Sequence, residues 1–473
     1  MVRLSKEMYV NERAQQSALY ETVKSDPYRL HYHLMPPAGW LNDPNGLCQV
    51  DGLYHIYYQY SPFEPLGGAK IWGHYTTRDL IHFHDHEPFI FADWKYDARG
   101  VYSGSAFVED GLIHFFYTGY VKNEDGSREQ NTIHMTSTNG FDHTDKEIVM
   151  TNADYPHDLS WHVRDPKIFK KDGMYYMVLG ARDQHDHGLI LLYRSDHLSD
   201  WQLHDRLSMP DFGYMWECPD LFELDGELFL VFSPQGLEED GMKYRNVYQT
   251  GYCRLHYDFK TKECSFSEFE EIDHGFDYYA PQSFLDEKGR RIQFGWMGIG
   301  DIPYSNEPTV EKGWQHALTL PRVLHAKEGR LYQMPAEEID GLRKNKTCFT
   351  AESFAWKNTG PCFEIDMQLG QSVPFEIRLY EDIVLSYDGG VFALKMKESG
   401  LGRDWRAARI DEIKDLRIYA DTSSLEIFIN DGRYVFTSRM YPKGEANVVL
   451  NMEGKADIQV YEMDRIIVEE KDV

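Results

Sequence analysis

No apolar run in this chain reaches the roughly 18 residues that a membrane span requires, so no transmembrane segment is expected. The stretch Met1 to Arg29 is polar, lacks the apolar core of a signal peptide, and reads as a short helix around Val10 to Val23. Positive charge is scarce: 49 Lys and Arg stand against 77 Asp and Glu, a net charge of −28. Nucleic acids and anionic membrane surfaces are recognised through basic patches, so neither is expected as a partner. Cysteine is sparse too. Cys48, Cys218, Cys253, Cys264, Cys348 and Cys362 are scattered without metal-type spacing and read as reduced thiols of a cytoplasmic protein. The 20 histidines, His31, His33 and His74 among them, form no ligand pattern, so no metal and no cofactor is expected. Oligomeric state leaves no mark on the sequence.

What the chain does hold is a repeat. Asp43-Pro44 precedes a strand, an Asp51-Gly52 turn and a second strand from Leu53 to Tyr60. Asp-Gly between β-branched or aromatic runs is a strong hairpin signal. The same order returns at Ser103 with Asp110-Gly111, at Asp165-Pro166 with Asp172-Gly173, at Glu217 with Asp225-Gly226, and at Pro281 with Lys288-Gly289. The anchors lie 60, 62, 52 and 64 residues apart. A period of that size means an array of similar supersecondary units, and strand-rich units fit blades around an axis. The expected fold is all-β: a five-bladed β-propeller followed by an antiparallel β-sandwich. Residues 1–30 form a leader packed outside the propeller, 31–335 the propeller, 336–346 a short helical linker, and 347–473 the sandwich. The last part is marked by short strands of period two, such as Phe375 to Leu379 and Leu425 to Ile429, between Gly, Asp and Asn turns.

In a propeller the residues opening each first strand converge on the axial funnel. Three of the five anchors are carboxylates, Asp43, Asp165 and Glu217. Two carboxyl groups facing one bound sugar suffice for glycoside hydrolysis, one attacking or activating water and the other protonating the leaving oxygen. Met215-Trp216-Glu217-Cys218-Pro219 places Glu217 among apolar residues, which suits an acid. Asn42 and Asn45 flank Asp43 and suit an ionised nucleophile. Arg164 before Asp165 is expected to keep that carboxyl ionised. Each Asp-Pro alone is ordinary turn chemistry; three carboxylates at corresponding places in an array are not. Gln59 reads equally as a substrate hydrogen-bonder or a solvated hairpin end, and Trp72 and Trp296 as sugar-stacking platforms or core.

At these residues the sequence resembles glycoside hydrolase family 32, the invertase and fructan-hydrolase family. The motifs are Trp40-Leu41-Asn42-Asp43-Pro44-Asn45-Gly46, Tyr58-Gln59-Tyr60, Trp72-Gly73-His74, Ser103-Gly104-Ser105, Arg164-Asp165-Pro166, Glu217-Cys218-Pro219-Asp220 and Leu318-Thr319-Leu320-Pro321-Arg322, with Glu426 to Gly432 and Phe436 to Arg439 in the second part. The resemblance implies the same two-part fold, Asp43 as nucleophile, Glu217 as acid/base, Asp165 as stabiliser, retention through a covalent fructosyl-enzyme, and no metal. It places Asn42, Gln59, Ser103 and Arg164 on the fructosyl unit. Leu41, inside the first motif, and Tyr102, just before Ser103, complete the expected substrate-binding set with Trp72 and Trp296. Several stretches are like the bacterial branch that cleaves sucrose 6-phosphate, for example Gly275-Phe276-Asp277-Tyr278-Tyr279-Ala280-Pro281-Gln282. Many members carry Glu-Trp-Gly where this chain has Pro65-Leu66-Gly67-Gly68-Ala69-Lys70. Lys70 and Arg245 are the candidates for phosphate. The expected partner is a small sugar. The competing readings are an invertase or short-fructan hydrolase indifferent to phosphate, and a sugar-binding propeller without catalysis.

Overall fold

The first four expected hairpins turn where their Asp-Gly pairs stand. Asp51-Gly52, Asp110-Gly111, Asp172-Gly173 and Asp225-Gly226 all have positive φ at both residues, the I′ condition that matches the twist of the flanking strands. The fifth differs. At Lys288-Gly289 only the glycine is left-handed, and Asp286 instead shapes a longer loop by accepting from the amides of Lys288 and Arg290 at 3.0 and 2.7 Å. This computed structural model describes residues 4–357 and 360–470. It is all-β, with a propeller-like arrangement of sheets followed by a C-terminal β-sandwich.

The strands that begin the repeats are Gly39–Val50, Gly100–Glu109, Leu159–Lys171, Met215–Leu224 and Tyr279–Leu285, and each belongs to a separate sheet and pairs antiparallel with the strand that follows it. Each also breaks register with its hairpin partner at the anchor. The shifts fall at Leu41/Pro44, Val101/Gly104, opposite Val178/Gly180, at Glu217/Asp220 and at Tyr279/Gln282. A bulge bends the strand and re-aims a side chain. Proline suits it because a bulged residue needs no ladder N–H. At three of the bulges the residue before the proline is left-handed: Asp165 at φ 64°, Cys218 at 49° and Ala280 at 47°.

Two short pairings close the arrangement. Trp314–Gln315, from the chain following the fifth hairpin, lies parallel to Gly39 and Trp40 at the start of the first sheet. Ile467–Glu470, from the end of the chain, lies parallel to His82–Asp85 at the first sheet's outer edge. Before the first sheet the leader folds as two helices, Lys6–Gln15 and Ser17–Lys24, rather than one, because the backbone departs from helical geometry at Gln16. The expected linker helix is a 3₁₀ turn, Glu337–Leu342, and the next strand starts at once, at Arg343.

The sandwich is one ten-stranded antiparallel sheet folded over. Its hinge is the strand Asn447–Met463, whose first part pairs with Phe375–Leu379 and whose last part pairs with Phe363–Leu369. The two layers enclose Phe363, Ile365, Ile377, Leu385, Ile418, Ile427, Phe436 and their neighbours, all buried.

The two parts meet through buried charge. Arg322, fully buried, donates to Glu426 (3.1 and 2.5 Å), Asp273 (3.2 Å), Gln333 (2.9 Å) and Thr437 (2.6 Å). The His33 ring lies between Asp421 (2.8 Å) and Glu426 (2.9 Å). Arg403 forks onto Asp277 with two bonds of 2.7 Å. The motifs around Arg322 and Glu426, to which the sequence assigns no chemistry, build this joint.

Candidate active site

The bulges bring Asp43, Asp165 and Glu217 to one cavity of about 340 Å³, which Asn42, Gln59, Ser103, Arg164, Tyr102 and Trp296 also line. Strand order alone would scatter these residues over more than 250 positions of chain. The axial convergence of the inner strands puts them on one floor.

Asp43 ends a directed relay of hydrogen bonds. The Trp40 indole N–H, which can only donate, gives to Asn42 Oδ1 at 2.8 Å. That turns the Asn42 amide nitrogen toward Gln59 Oε1 (2.8 Å) and Asp43 Oδ1 (3.1 Å). Gln59 Nε2 then donates to Ser103 Oγ at 2.5 Å, and the Ser103 hydroxyl donates in a short bond to Asp43 Oδ2. Burial raises the Asp43 carboxyl above its ordinary value, while Ser103 and Asn42 pull it back.

Glu217 has the opposite surroundings from those its apolar neighbours in sequence suggest. Arg164 Nε and Nη2 donate to Oε1 at 2.9 and 2.6 Å. Gln235 Nε2 and the Tyr279 hydroxyl donate to Oε2 at 2.7 and 2.6 Å. Burial, with the charge of Glu217, holds the Tyr279 phenol well above its usual range, so it remains a donor. Arg164, expected to keep Asp165 ionised, spends its fork on Glu217. Burial raises Asp165, with Arg164 opposing the rise and Glu217 and Asp43 adding to it. The left-handed Asp165 accepts from the Cys218 amide at 2.9 Å and donates its own amide to Thr118 at 2.9 Å. The Cys218 thiol stands between Asp165 and Asp43, 3.6 and 3.7 Å away. Burial and the three carboxylates push its pKa far up, so it stays an S–H donor.

Three expectations are corrected. Leu41 is fully buried in the core behind the floor, because its side chain takes the opposite face of the strand from Asn42, and it does not line this cavity. Trp72 is also fully buried, packed on Tyr57, Phe115 and Tyr117 with its indole N–H given to the Tyr102 carbonyl at 3.1 Å, and offers no ring to a sugar. Arg245 lies away from the cavity, paired with Glu239 and stacked on Trp405 at 4.9 Å. Lys70 does line the cavity, with its ammonium 4.7 Å from the Trp40 ring centre and its charge felt by Asp43. Burial lowers it to about 7.

Sequence reasoning missed Gln235, Tyr279, Tyr120, Arg128, Gln130, His162 and Tyr248, all on the cavity wall. Two left a signal. Tyr279 opens the fifth inner strand, and Gln235 ends the second strand of its hairpin, much as Gln59 stands two residues before the end of that of the first.

Two carboxyl groups held by different donors in one cavity on an all-β frame fit the two-carboxylate chemistry of a glycosidase. Residues 33–335 match the glycosyl hydrolases family 32 N-terminal domain and residues 338–463 match the glycosyl hydrolases family 32 C terminal. The chain belongs to glycosyl hydrolase family 32. It is 38% identical to the sucrose-6-phosphate hydrolase of Bacillus subtilis over 455 residues, 93% of this chain and 94% of that one. It is 36% identical to the raffinose invertase of Escherichia coli, covering 88% of this chain and 90% of that one. Among solved structures it is similar to sucrose-6-phosphate hydrolase from Lactobacillus gasseri, with a TM-score of 0.89 and 31% identity across 96% of this chain and 97% of that one.

Proposed function

We propose that this chain hydrolyses the β-fructofuranosidic bond of sucrose 6-phosphate, releasing glucose 6-phosphate and fructose, in the cytoplasm and without a cofactor. The observation that carries the reading is the funnel floor, where Asp43 and Glu217 are each oriented by separate donors around one cavity. Similarity to sucrose-6-phosphate hydrolases along nearly the whole chain supports the substrate.

Asp43 attacks the anomeric carbon of the fructosyl unit, forming an ester. The electron pair of the broken bond goes to the glycosidic oxygen, which takes a proton from Glu217, protonated in the substrate complex with the Tyr279 hydroxyl turned to accept from it. Water then attacks the same carbon, Glu217 takes the water's proton, and Asp43 leaves as carboxylate, so configuration is retained. Asp165, raised by burial, holds fructose hydroxyls as acceptor or, when protonated, as donor. Asn42, Gln59, Ser103 and Arg164 orient these groups, and Tyr102 and Trp296 wall the sugar. We read each sheet that opens with a bulged inner strand as one blade of a five-bladed propeller over residues 31–335, with the leader at 1–30 and the linker and sandwich over 336–473, the sandwich's first strand beginning at Arg343.

Likeness to a raffinose invertase favours a second reading, hydrolysis indifferent to phosphate. Comparing kcat/KM for sucrose 6-phosphate and sucrose decides between them. A higher value for the phosphorylated sugar is expected; equal values would support the second reading. Asp43→Ala and Glu217→Ala should each cost at least about 10²–10⁴-fold in kcat with the fold intact. More than about a tenth of wild-type kcat in either would remove its role.

A further inference from the structure

The cavity has two unlike walls. One carries Tyr248, Tyr279, Trp296 and Asp301, whose carboxylate accepts from the Tyr248 hydroxyl at 2.7 Å. The other is the hairpin of Leu112–Lys122 and Arg128–Ser137 with His162 beside it. In this hairpin Tyr120 is paired with Gln130, and Lys122 with Arg128. Directly opposed residues of an antiparallel pair point to the same face, as do residues two apart along one strand. Tyr120, Gln130 and Arg128 line the cavity, so Lys122, directly opposite Arg128, lies on that face level with it.

Arg128 differs from the arginines around it. Arg164 is taken by Glu217, Arg182 by Asp186 and Arg245 by Glu239. Among the described residues the Arg128 guanidinium has no hydrogen-bond or ion-pair partner, and the residue is exposed at the cavity mouth. A charged fork left open to a sugar cavity, in a chain of net charge −28, calls for an anionic ligand. We propose that Arg128 is the residue that binds the phosphate of the substrate, a proposal that rests on sucrose 6-phosphate being that substrate.

The placement fits. Gln130 Oε1 accepts from Arg164 Nη1 at 3.3 Å, and Arg164 grips Glu217, so Gln130 lies beside the group proposed to protonate the leaving oxygen. Arg128 lies two residues further out, about 7 Å along the strand, which is the reach of the leaving sugar's far side. His162 adds a donor. Its Nδ1 faces Arg164 Nη1 at 3.1 Å and must accept, because guanidinium only donates. Burial and three arginines, Arg128 among them, lower it to about 4, so the neutral ring carries its proton on Nε2. Lys70 is less suited. It sits beside Asp43 at the fructosyl end, and at about 7 it loses its charge where guanidinium does not. The opposite wall, bearing Asp301, repels phosphate.

The test is the ratio of kcat/KM for sucrose 6-phosphate to that for sucrose in wild type, Arg128→Ala, Arg128→Lys and Lys70→Met, with glucose 6-phosphate as competitive inhibitor of sucrose hydrolysis. Arg128→Ala should lower the ratio about 10- to 100-fold, through KM, and weaken glucose 6-phosphate inhibition by a similar factor. Arg128→Lys should recover part, since an ammonium supplies charge without the fork. If wild type prefers sucrose 6-phosphate and Arg128→Ala keeps the preference, Arg128 is not the reader. The same holds if both substrates suffer equally, or if only Lys70→Met abolishes the preference. A wild type with no preference overturns the substrate reading itself, and the Arg128 proposal falls with it.

Discussion

At the scale of single residues, the three carboxylates are told apart by who donates to them. Glu217 accepts from a guanidinium, an amide and a phenol, Asp43 from a hydroxyl and an amide, and Asp165 from a backbone amide and a thiol. Their neighbours in sequence suggested a different division, because the apolar Met215 and Trp216 point into the core while Glu217 points out of it. Ser103 offers a direct test of the division. Its hydroxyl is the largest influence holding Asp43 down against burial. Ser103→Ala removes that bond, so the Asp43 carboxyl should rise, and a smaller fraction of the proposed nucleophile is ionised at any given pH. The acidic limb of the kcat/KM profile should therefore move to higher pH. An unmoved limb, with only a uniform drop in rate, would mean that Ser103 shapes the cavity and does not tune the Asp43 carboxyl.

At the scale of elements, the bulged hairpin is the unit that turns a local sequence signal into a position on the axis. The second hairpin separates the turn from the bulge. A Cβ on Gly111, in the turn, would meet nothing within 4 Å, whereas one on Gly104, in the bulge, would lie 2.1 Å from the Phe116 carbonyl oxygen and 2.4 Å from the Tyr117 Cα. Gly111→Ala should cost only the left-handed penalty of about 1–2 kcal/mol and leave kcat as it is. Gly104→Ala must push two backbones apart beside Ser103, so it should lower both melting temperature and kcat. Equal effects on kcat from the two variants would deny the bulge its part in aiming Ser103. Elements also explain what was illegible. Every residue of Ile71–Thr77 is buried, so period two is silent there, and Trp72 could not be assigned to wall or core before the neighbouring sheet was in place.

At the scale of the whole molecule, the propeller-like part and the sandwich are held together by charges with no access to water. His33, Asp421 and Glu426 have fully buried side chains. The two carboxylates raise His33 above its ordinary value despite burial, and Asp421 is lowered to about 2. The signs then set a window. The His33 contribution is fully present below the unfolded value of about 6.5 and is lost as pH rises through the higher folded value. The Asp421 contribution is present above its unfolded value of about 3.9 and is lost as pH falls through about 2. The joint should be strongest between about pH 4 and 6.5. His33→Gln leaves two buried carboxylates facing each other, and removing one partner of a buried pair costs about 3–5 kcal/mol. The melting-temperature gap between wild type and variant should be widest in that window and shrink toward alkaline pH. A gap of constant size from pH 5 to pH 9 would mean that no proton is held on His33.

The sequence by itself determined what depends on short range. Asp-Gly pairs set the first four turns and period two marked the sandwich strands, because each acts within two or three residues. The recurrence of those signals placed Asp43, Asp165 and Glu217 on one axis. What only the tertiary structure decided is what those groups face. Arg164 chooses Glu217, 53 positions away, over its neighbour Asp165; Arg322 reaches Glu426, 104 positions away; and Arg128 is left open at the mouth. Chain order carries no record of such choices. They follow from burial, which makes an unpaired charge costly and so selects whichever opposite charge the folded sheets bring within about 3 Å.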